Sequence, residues 1–267
     1  MNELYLKRIE SYLSGDDYKK FVDTLFDSPR YGFTLNHKKL QESTLDFSMI
    51  IKDWNLDKIY DNGKYSYYTY IQEPSSNMVL KDIDIKEGYK VLDMCAAPGG
   101  KSIQALYSLE KDKGGMLYTN DIDSKRIKAV YSNIERMGFL DIAKIYNKNP
   151  KYFLDEYSEY FDVVILDAPC SGEGMMRKSE IAKNQWSISL IGKCARLQKE
   201  LIDIAVKLVK SGGILSYSTC TYAKEEDEDN VSYLLDKYKD YECINERKIY
   251  HFENIGEGQF YATFKRK

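Results

Sequence analysis

The amino-acid sequence predicts an α/β fold: a doubly wound, mostly parallel sheet of seven strands, preceded by a small N-terminal α+β domain. Strand and helix patterns alternate from Gln72 onward, which is typical of parallel strands covered on both faces. An apolar run from Val91 to Met94 enters a glycine-rich turn and then a helical pattern. With 267 residues, the chain is long enough to bury the core of such a sheet.

The small domain is expected to comprise residues 1–71, and the larger domain residues 72–267. Apolar residues at three- and four-residue steps predict helices before Pro29. The segments 31–36 and 65–71 are interpreted as strands, with a short helix from Lys38 between them. The tyrosines of 65–71 either stack unpaired bases or pack a small sheet, and packing is favoured because tyrosine is common here, with 24 residues.

The strands of the larger domain are placed from their apolar runs. Five parallel strands are predicted near residues 89–94, 115–120, 142–146, 161–167 and 212–219. Helices are expected near residues 100–110, 124–137, 151–158, 190–210 and 225–239. Two further strands, 241–249 and 259–265, complete the sheet. Ligands of such open sheets bind beyond the carboxyl ends of the strands, so the residues that follow these strands are the candidate site residues.

The turn after the first parallel strand is the predicted ligand-binding loop. Its residues are Cys95, Ala96, Ala97, Pro98, Gly99, Gly100 and Lys101. The glycines have no side chain that would keep a ligand from the backbone, and N–H groups at a helix start lack intrahelical partners. The sequence of this loop differs from the glycine pattern of dinucleotide-binding folds and from that of the phosphate-binding loop, so neither NAD nor ATP is expected. On this motif alone, an ordinary strand-to-helix turn remains an alternative.

Acidic and thiol side chains follow three other predicted strands. Asp121 lies about twenty positions past the glycine turn, where an acidic residue can hydrogen-bond a ribose diol. The neighbouring Asp123 better suits a helix cap. Cys170 and Cys220 each follow the end of a strand. One such cysteine would be interpreted as a small buried hydrophobic residue, but two beside the same pocket indicate a reactive pair.

Composition excludes several classes of protein. The five cysteines are odd in number and include no C-x-x-C pair, and there are only two histidines, so neither a disulfide framework nor a metal site is predicted. The apolar runs are too short to span a bilayer, and no signal peptide is recognisable at Met1. We therefore expect a cytoplasmic protein without a membrane partner. The net charge of −3 leaves a local basic surface possible.

Three motifs, Asp93 to Ser102, Asp167 to Gly174 and Ser218 to Thr221, together resemble the signatures of the Nop/Sun family of RNA cytosine-5 methyltransferases. The similarity covers about residues 30–265 and is closest to the bacterial RsmF-type branch, which modifies small-subunit ribosomal RNA. The resemblance implies a class I methyltransferase (Rossmann-like) fold and S-adenosylmethionine as cofactor. It also implies RNA as partner, with rRNA favoured over tRNA. A monomer is expected.

The resemblance further implies roles for individual residues. Cys220 is the implied nucleophile that adds to carbon 6 of cytosine, and Cys170 is the thiol that aids product release. Asp167 is suited to hydrogen-bond ring nitrogen 3 and the exocyclic amine. Lys101 is expected to lower a thiol pKa or to contact phosphate or the cofactor carboxylate, with a solvated helix residue as the alternative. Asn147 fills the place of a polar residue that binds adenine, so it joins the loop, Asp121 and Asp167 as a cofactor-binding candidate.

Some features of the sequence leave alternatives open. Arg177, Lys178 and Lys183 either contact phosphates or form a solvated basic face. The acidic run 225–229 is interpreted as the first turn of a helix, and Trp186 as a packing residue.

The target RNA also stays open. Most RsmF-type proteins carry a further RNA-binding region after the catalytic domain, and this chain is expected to lack it. The N-terminal domain is then expected to bind RNA or to support the catalytic domain. A DNA cytosine-5 methyltransferase, whose nucleophile is the cysteine of the Pro-Cys motif, is disfavoured by Cys220. A noncatalytic RNA-binding ribosome-assembly factor is the alternative of another class, and the intact thiol pair counts against it.

Overall fold

The N-terminal part of the chain forms a small group of helices and strands in the computed structural model, which describes residues 3–41 and 66–267. Its elements are α1 (Glu3–Tyr12), α2 (Gly15–Asp23), β1 (Gly32–Leu35), α3 (His37–Gln41) and β2 (Thr69–Gln72). The strands β1 and β2 pair antiparallel in a separate two-stranded sheet. The predicted strand 65–71 overlaps β2, but Tyr67 and Tyr68 lie in the turn before it, and residue 65 is outside the described residues.

Seven strands form the main sheet. In chain order they are β3 (Lys90–Asp93), β4 (Met116–Asn120), β5 (Ala143–Tyr146), β6 (Phe161–Asp167), β7 (Val209–Thr219), β8 (Tyr241–Ile249) and β9 (Gln259–Arg266). Their spatial order is β5-β4-β3-β6-β7-β9-β8. The strands from β5 to β7 in this order pair parallel, and β9 runs antiparallel to both β7 and β8. The predicted doubly wound, mostly parallel sheet of seven strands is confirmed.

Helices cover both faces of the main sheet. They are α4 (Pro74–Met78), α5 (Gly100–Leu106), α6 (Arg126–Met137), α7 (Tyr152–Glu156), α8 (Glu180–Gln185), α9 (Ile188–Leu208) and α10 (Glu228–Lys237). Alternate residues of a strand face opposite sides, and in β6 Val163 packs in one core cluster and Val164 in the other. The cluster that contains Val163 includes residues of α5 and α6, and the cluster that contains Val164 includes residues of α9 and α10. This double burial explains why the central strands are continuous apolar runs.

The N-terminal helices pack against the loops that follow β6 and β7. Tyr5 of α1 and Phe21 of α2 are fully buried in a third core cluster, together with Trp186 and Tyr222. Trp186 therefore packs as predicted, and its indole Nε1 donates a 2.9 Å hydrogen bond to Glu173. Across the two described ranges, no helix combines the length and the apolar character that crossing a membrane requires.

The strand order reverses between β3 and β6, because the chain proceeds from β3 outward to β5 and then returns to the other side of β3. Parallel strands share one carboxyl edge, so the loops after β3, β4, β6 and β7 meet there. The sequence-predicted site residues all follow or end these strands or β5. The topology therefore brings them to one edge of the sheet.

Candidate active site

Cys170 and Cys220 form a close pair of thiols at this edge. Their sulfur atoms are 3.2 Å apart, and both cysteines are free and half buried. In the register of β6 and β7, Asp167 lies opposite Ser218, so both cysteine-bearing loops leave the sheet at nearly the same level. The hydrogen bond to Cys220 and then burial raise the pKa of the Cys170 thiol well above its usual range. The Cys170 thiol therefore keeps its proton at neutral pH.

Asp167 and Lys101 form an ion pair beside the thiols. Lys101 Nζ lies 2.8 Å from Asp167 Oδ2 and donates a 2.9 Å hydrogen bond to Ser76 Oγ. The hydroxyl of Ser218 donates to Asp167 Oδ1 at 2.7 Å. Lys101 is only 5% exposed, which contradicts the interpretation of a solvated helix residue. The pair instead fixes the position of a half-exposed carboxylate at the end of β6.

A cavity of about 350 Å³ joins these groups to the glycine turn. Its wall contains Asp167 and Cys220. It also contains the loop residues Ala96, Ala97, Pro98, Gly100 and Lys101. Gly99 has a φ of +110°, a backbone conformation that L side chains rarely adopt, so glycine is required for this turn. Cys95 and Gly99 are not part of the cavity wall, and Cys95 packs against the hydrophobic core, where burial raises its pKa.

Asp121 and Asn147 lie on the β4 and β5 side of the glycine turn. Asp121 is 3% exposed, and its carboxylate accepts hydrogen bonds from Ala97 N at 3.1 Å and Asp123 N at 2.9 Å. Asn147 donates its amide N–H groups to the backbone oxygens of Asp121 and Ile122, at 2.7 and 3.0 Å. Both bonds use the amide nitrogen, so Oδ1 is the atom of this side chain that can accept a hydrogen bond. Asp123 caps the start of α6 by accepting from two backbone N–H groups, as its sequence position indicated.

Asp93 is a site residue that the sequence analysis did not single out, although it opens the first motif. It is fully buried at the end of β3 and lines the cavity. Its Oδ2 accepts a 2.7 Å hydrogen bond from Ser102, whereas its Oδ1 has no partner within the described chain. Burial raises the pKa of Asp93 to about 7. An unpartnered carboxylate oxygen is suited to an ammonium group, so the cavity fits the amino-acid portion of S-adenosylmethionine.

Arg177 lies in a buried ion pair. The prediction that it contacts phosphates is therefore wrong, and so is the alternative that it belongs to a solvated basic face. Its Nε and one terminal nitrogen donate to the two carboxylate oxygens of Glu257 at 3.0 and 2.9 Å. The other terminal nitrogen donates to the backbone oxygen of Thr24 at 2.9 Å. The side chains of Arg177 and Glu257 are 3% and 0% exposed. Lys178 lines the cavity, and Lys183 is paired with Glu180 at the surface.

The acidic run after Cys220 anchors loops as well as starting a helix. The helix α10 begins at Glu228, so only the end of the run lies in its first turn. Glu226 is fully buried, and its Oε2 accepts from Ser171 N at 3.0 Å and Gln198 Nε2 at 2.8 Å. Asp227 accepts from the hydroxyl of Thr219 at 2.6 Å. These two carboxylates therefore hold the loops that carry Cys170 and Cys220.

No set of three or more histidine, cysteine, aspartate or glutamate side chains in residues 3–41 and 66–267 is arranged to hold a metal ion. The site described above consists of two thiols, an ion pair and a glycine turn with acidic neighbours. These groups suit nucleophilic chemistry next to a bound nucleoside.

Comparison with known proteins identifies relatives of this chain. The model of the 16S rRNA methyltransferase RsmB/F family matches residues 80–265. The ribosomal RNA small subunit methyltransferase F of Vibrio cholerae (strain M66-2) is 40% identical over 173 residues, which cover 64% of this chain and 36% of the relative. The protein of that name from Shewanella woodyi is 32% identical over 251 residues, which cover 86% of this chain and 51% of the relative.

These curated relatives are longer, and the chain spans only 36% to 51% of their length. A crystal structure of a methyltransferase homolog protein from Pyrococcus horikoshii superposes with a TM-score of 0.76 at 23% identity, covering 96% of this chain and 92% of that one. This likeness establishes the Rossmann-like fold. Because the family model matches most of the chain and the Shewanella relative extends over 86% of it, this chain belongs to the RsmB/F family of 16S rRNA methyltransferases.

Proposed function

We propose that this chain transfers a methyl group from S-adenosylmethionine to carbon 5 of a cytosine in RNA, through a covalent bond between Cys220 Sγ and carbon 6. The observation that carries the proposal is the thiol pair, 3.2 Å apart, in reach of the cavity that also contains Asp167. S-adenosylmethionine, the cofactor expected for this family, supplies the methyl group as an electrophilic sulfonium. Carbon 5 of cytosine is a weak nucleophile, so a thiolate must first activate the ring.

The residues of the site support each step. The Cys220 thiolate forms a bond to carbon 6, and the electrons of the 5,6 double bond move toward carbon 5 and the ring heteroatoms. Asp167, held by Lys101 and Ser218, is placed to accept a hydrogen bond from the exocyclic amine, and from nitrogen 3 when that nitrogen carries a proton in the adduct. Carbon 5 then takes the methyl group. Loss of the carbon 5 proton to solvent restores the double bond and breaks the bond between carbon 6 and sulfur.

Cys170 is proposed to assist this last step. Because its pKa is raised, its thiol is protonated and can donate a hydrogen bond to the Cys220 sulfur as negative charge returns there. Removing Cys170 should therefore slow the release of the base without preventing the first addition.

The cofactor is proposed to extend from the cavity toward β4 and β5. The loop 95–101 and Asp93 would hold its amino-acid portion, Asp121 its ribose diol, and Asn147 Oδ1 its adenine amine. The apolar side chains of Ile127 and Tyr131 line the same depression as Asn147, and such a surface suits an adenine ring.

The test is a denaturing gel of unmodified enzyme, Cys220→Ala and Cys170→Ala after incubation with labelled S-adenosylmethionine and total RNA from cells that lack the activity. We expect a protein–RNA adduct to accumulate with Cys170→Ala and to be absent with Cys220→Ala. Cys243→Ala, which changes a half-buried cysteine on β8, is the matched control and should behave as unmodified enzyme. An adduct with Cys220→Ala and none with Cys170→Ala would reverse the roles of the thiols.

The substrate is proposed to be ribosomal RNA, as in the names of the family and the relatives, with tRNA as the alternative. Sequencing of the trapped RNA distinguishes the two.

The N-terminal domain, residues 1–71, is proposed to support the catalytic loops, since the Tyr5 hydroxyl donates to Glu173 O at 3.2 Å and Arg8 pairs with Glu225. A monomeric, cytoplasmic enzyme is part of the proposal. Binding of RNA without transfer of label would favour the noncatalytic assembly factor.

A further inference from the structure

Gln259, the first residue of β9, is a buried amide that the proposed reaction does not yet use. Its side chain is 2% exposed and lines the cavity that contains Cys220 and Asp167. Its Nε2 donates to no acceptor in the part of the chain that the structure describes. Leaving a buried N–H without an acceptor destabilises a protein, and because this amide lines the cavity, its N–H group is available to an acceptor bound there.

Two glycines bring Gln259 next to the proposed nucleophile. Gly174 N donates to Cys220 O at 3.0 Å, and Gly258 N donates to Gly174 O at 3.1 Å. A Cβ atom on Gly258 would lie 2.3 Å from Gly174 Cα, so only glycine permits this contact. In the antiparallel register of β7 and β9, Phe260 lies opposite Thr219, and one step further along both strands brings Gln259 beside Cys220.

The sheet order places Gln259 on the side of the cavity away from the glycine turn. The turn follows β3, and β6 and β7 lie between β3 and β9. The amide of Gln72 also has no partner among the described residues, but it lies on the side of the cavity that the glycine turn forms. A Cβ atom on Gly100 would lie 3.2 Å from Gln72 Nε2, so Gln72 packs on the glycine turn. Gln259 is thus the amide on the thiol side, where the target base must lie.

We propose that the side-chain amide of Gln259 donates a hydrogen bond to the O2 carbonyl of the target pyrimidine. This inference rests on the proposed function. With Asp167 at nitrogen 3 and the exocyclic amine, O2 is the ring acceptor that still requires a donor. Addition of the Cys220 thiolate to carbon 6 increases the negative charge on O2, so this hydrogen bond strengthens toward the transition state. O2 is common to cytosine and uracil, and Gln259 therefore accelerates the reaction without selecting between them.

The first test compares Gln259→Leu with unmodified enzyme. We expect kcat/KM for RNA methylation to fall on the order of tenfold, as for loss of one hydrogen bond. The Kd for S-adenosylmethionine, measured by calorimetry, should be unchanged. The melting temperature should not fall, because the substitution removes an unpaired buried polar group. Gln185→Leu, at an exposed position on α8, is the matched control and should leave all three quantities unchanged.

The second test changes the acceptor on the substrate. The probe is a synthetic RNA that spans the cytosine labelled by unmodified enzyme, with 2-thiocytidine at that position, since sulfur is the weaker acceptor. Unmodified enzyme should methylate it on the order of tenfold more slowly than the cytidine RNA, and Gln259→Leu should show no further decrease.

Three results are distinguishable. If Gln259→Leu and the 2-thio substitution lower the rate independently, so that their effects multiply, the amide does not contact O2 and the inference is wrong. If Gln259→Leu instead raises the Kd for S-adenosylmethionine, the amide serves the cofactor and the inference is also wrong. If unmodified enzyme methylates no RNA, the proposed function itself fails, and this inference fails with it.

Discussion

The sulfur atoms of Cys170 and Cys220 are 3.2 Å apart although the two residues are 50 positions apart in the chain. The short distance between the sulfur atoms follows from the parallel pairing of β6 and β7, which brings both strand ends to one edge of the sheet. Buried carboxylates then hold the two loops, Glu226 on the Cys170 side and Asp227 on the Cys220 side. The thiols are thus positioned by the fold and need no bound substrate to come together.

This proximity predicts sensitivity to oxidation. A disulfide bond requires sulfur atoms about 2.05 Å apart, so a small movement would allow a mild oxidant such as diamide to link the pair. We expect the oxidised protein to lose its methylation activity and to show, by mass spectrometry, a mass lower by two hydrogens. Dithiothreitol should reverse both changes. Cys243→Ala should respond in the same way, whereas Cys170→Ala should show no loss of two hydrogens. A disulfide bond mapped to other cysteines would contradict the prediction.

Much of the fold was predictable because the central strands of the main sheet are short apolar runs that end in turns. The predicted strand 161–167 agrees with β6, and 241–249 agrees with β8. The meeting of Cys170 and Cys220 was also predictable, since parallel strands share a carboxyl edge. Helix ends were less accurate: α5 ends at Leu106, before the predicted residue 110, and a short turn of 3₁₀ helix follows at 111–113.

Partners that are distant in the chain were not predictable from local pattern. The position of Arg177 after the Asp167–Gly174 motif indicates phosphate contact, but its partner Glu257 is 80 positions away. The local pattern predicts only a strand that starts at Gln259, because the contact of Gly258 with Gly174 depends on tertiary packing. The acidic run predicts a helix turn for Glu226, whereas this residue is buried and accepts from Ser171 N. Periodicity reports which face of an element is apolar, and it does not report such contacts.

Asp121 provides a test of the cofactor site. Its carboxylate accepts from Ala97 N, and the proposed ribose contact would add bonds to the same group. We expect Asp121→Ala to raise the Kd for S-adenosylmethionine between about tenfold and a hundredfold, as for the loss of hydrogen bonds to a charged group. Calorimetry measures this effect. Asp123→Ala changes the neighbouring capping residue and should leave the Kd unchanged, so an equal loss in both variants would point to disruption of the loop instead.

Arg177 should matter for stability and not for RNA affinity. Removing one partner of a buried ion pair leaves the other charge unpaired, so Arg177→Met is expected to lower the free energy of unfolding by about 3–5 kcal/mol. The double variant with Glu257→Gln should recover part of that loss, because no unpaired charge then remains. Urea unfolding measures both, and Lys183→Met at the surface is the control. Reduced RNA affinity in Arg177→Met with unchanged stability would restore the phosphate interpretation.

Glu226 predicts a dependence of stability on pH. Burial raises its pKa to about 7 from the ordinary 4.5, and its Oε1 has no partner among the described residues. Between these two pH values the folded protein holds the proton more tightly than the unfolded chain. Below pH 4.5 the carboxyl does not destabilise the fold. The destabilisation grows as the pH rises from 4.5 to about 7, and it is complete above about pH 7.

Glu226→Gln removes the ionisation and keeps an oxygen that can accept from Ser171 N and Gln198. We expect the free energy of unfolding of the variant to be close to that of unmodified protein at pH 5 and to exceed it by up to about 3 kcal/mol at pH 8. Asp93, whose pKa is also raised to about 7, is present in both proteins and cancels in this difference. Urea unfolding at the two pH values measures the difference, with exposed Glu200→Gln as the control. A constant difference across this range would mean that Glu226 stays ionised in the fold, held by its hydrogen bonds despite its burial.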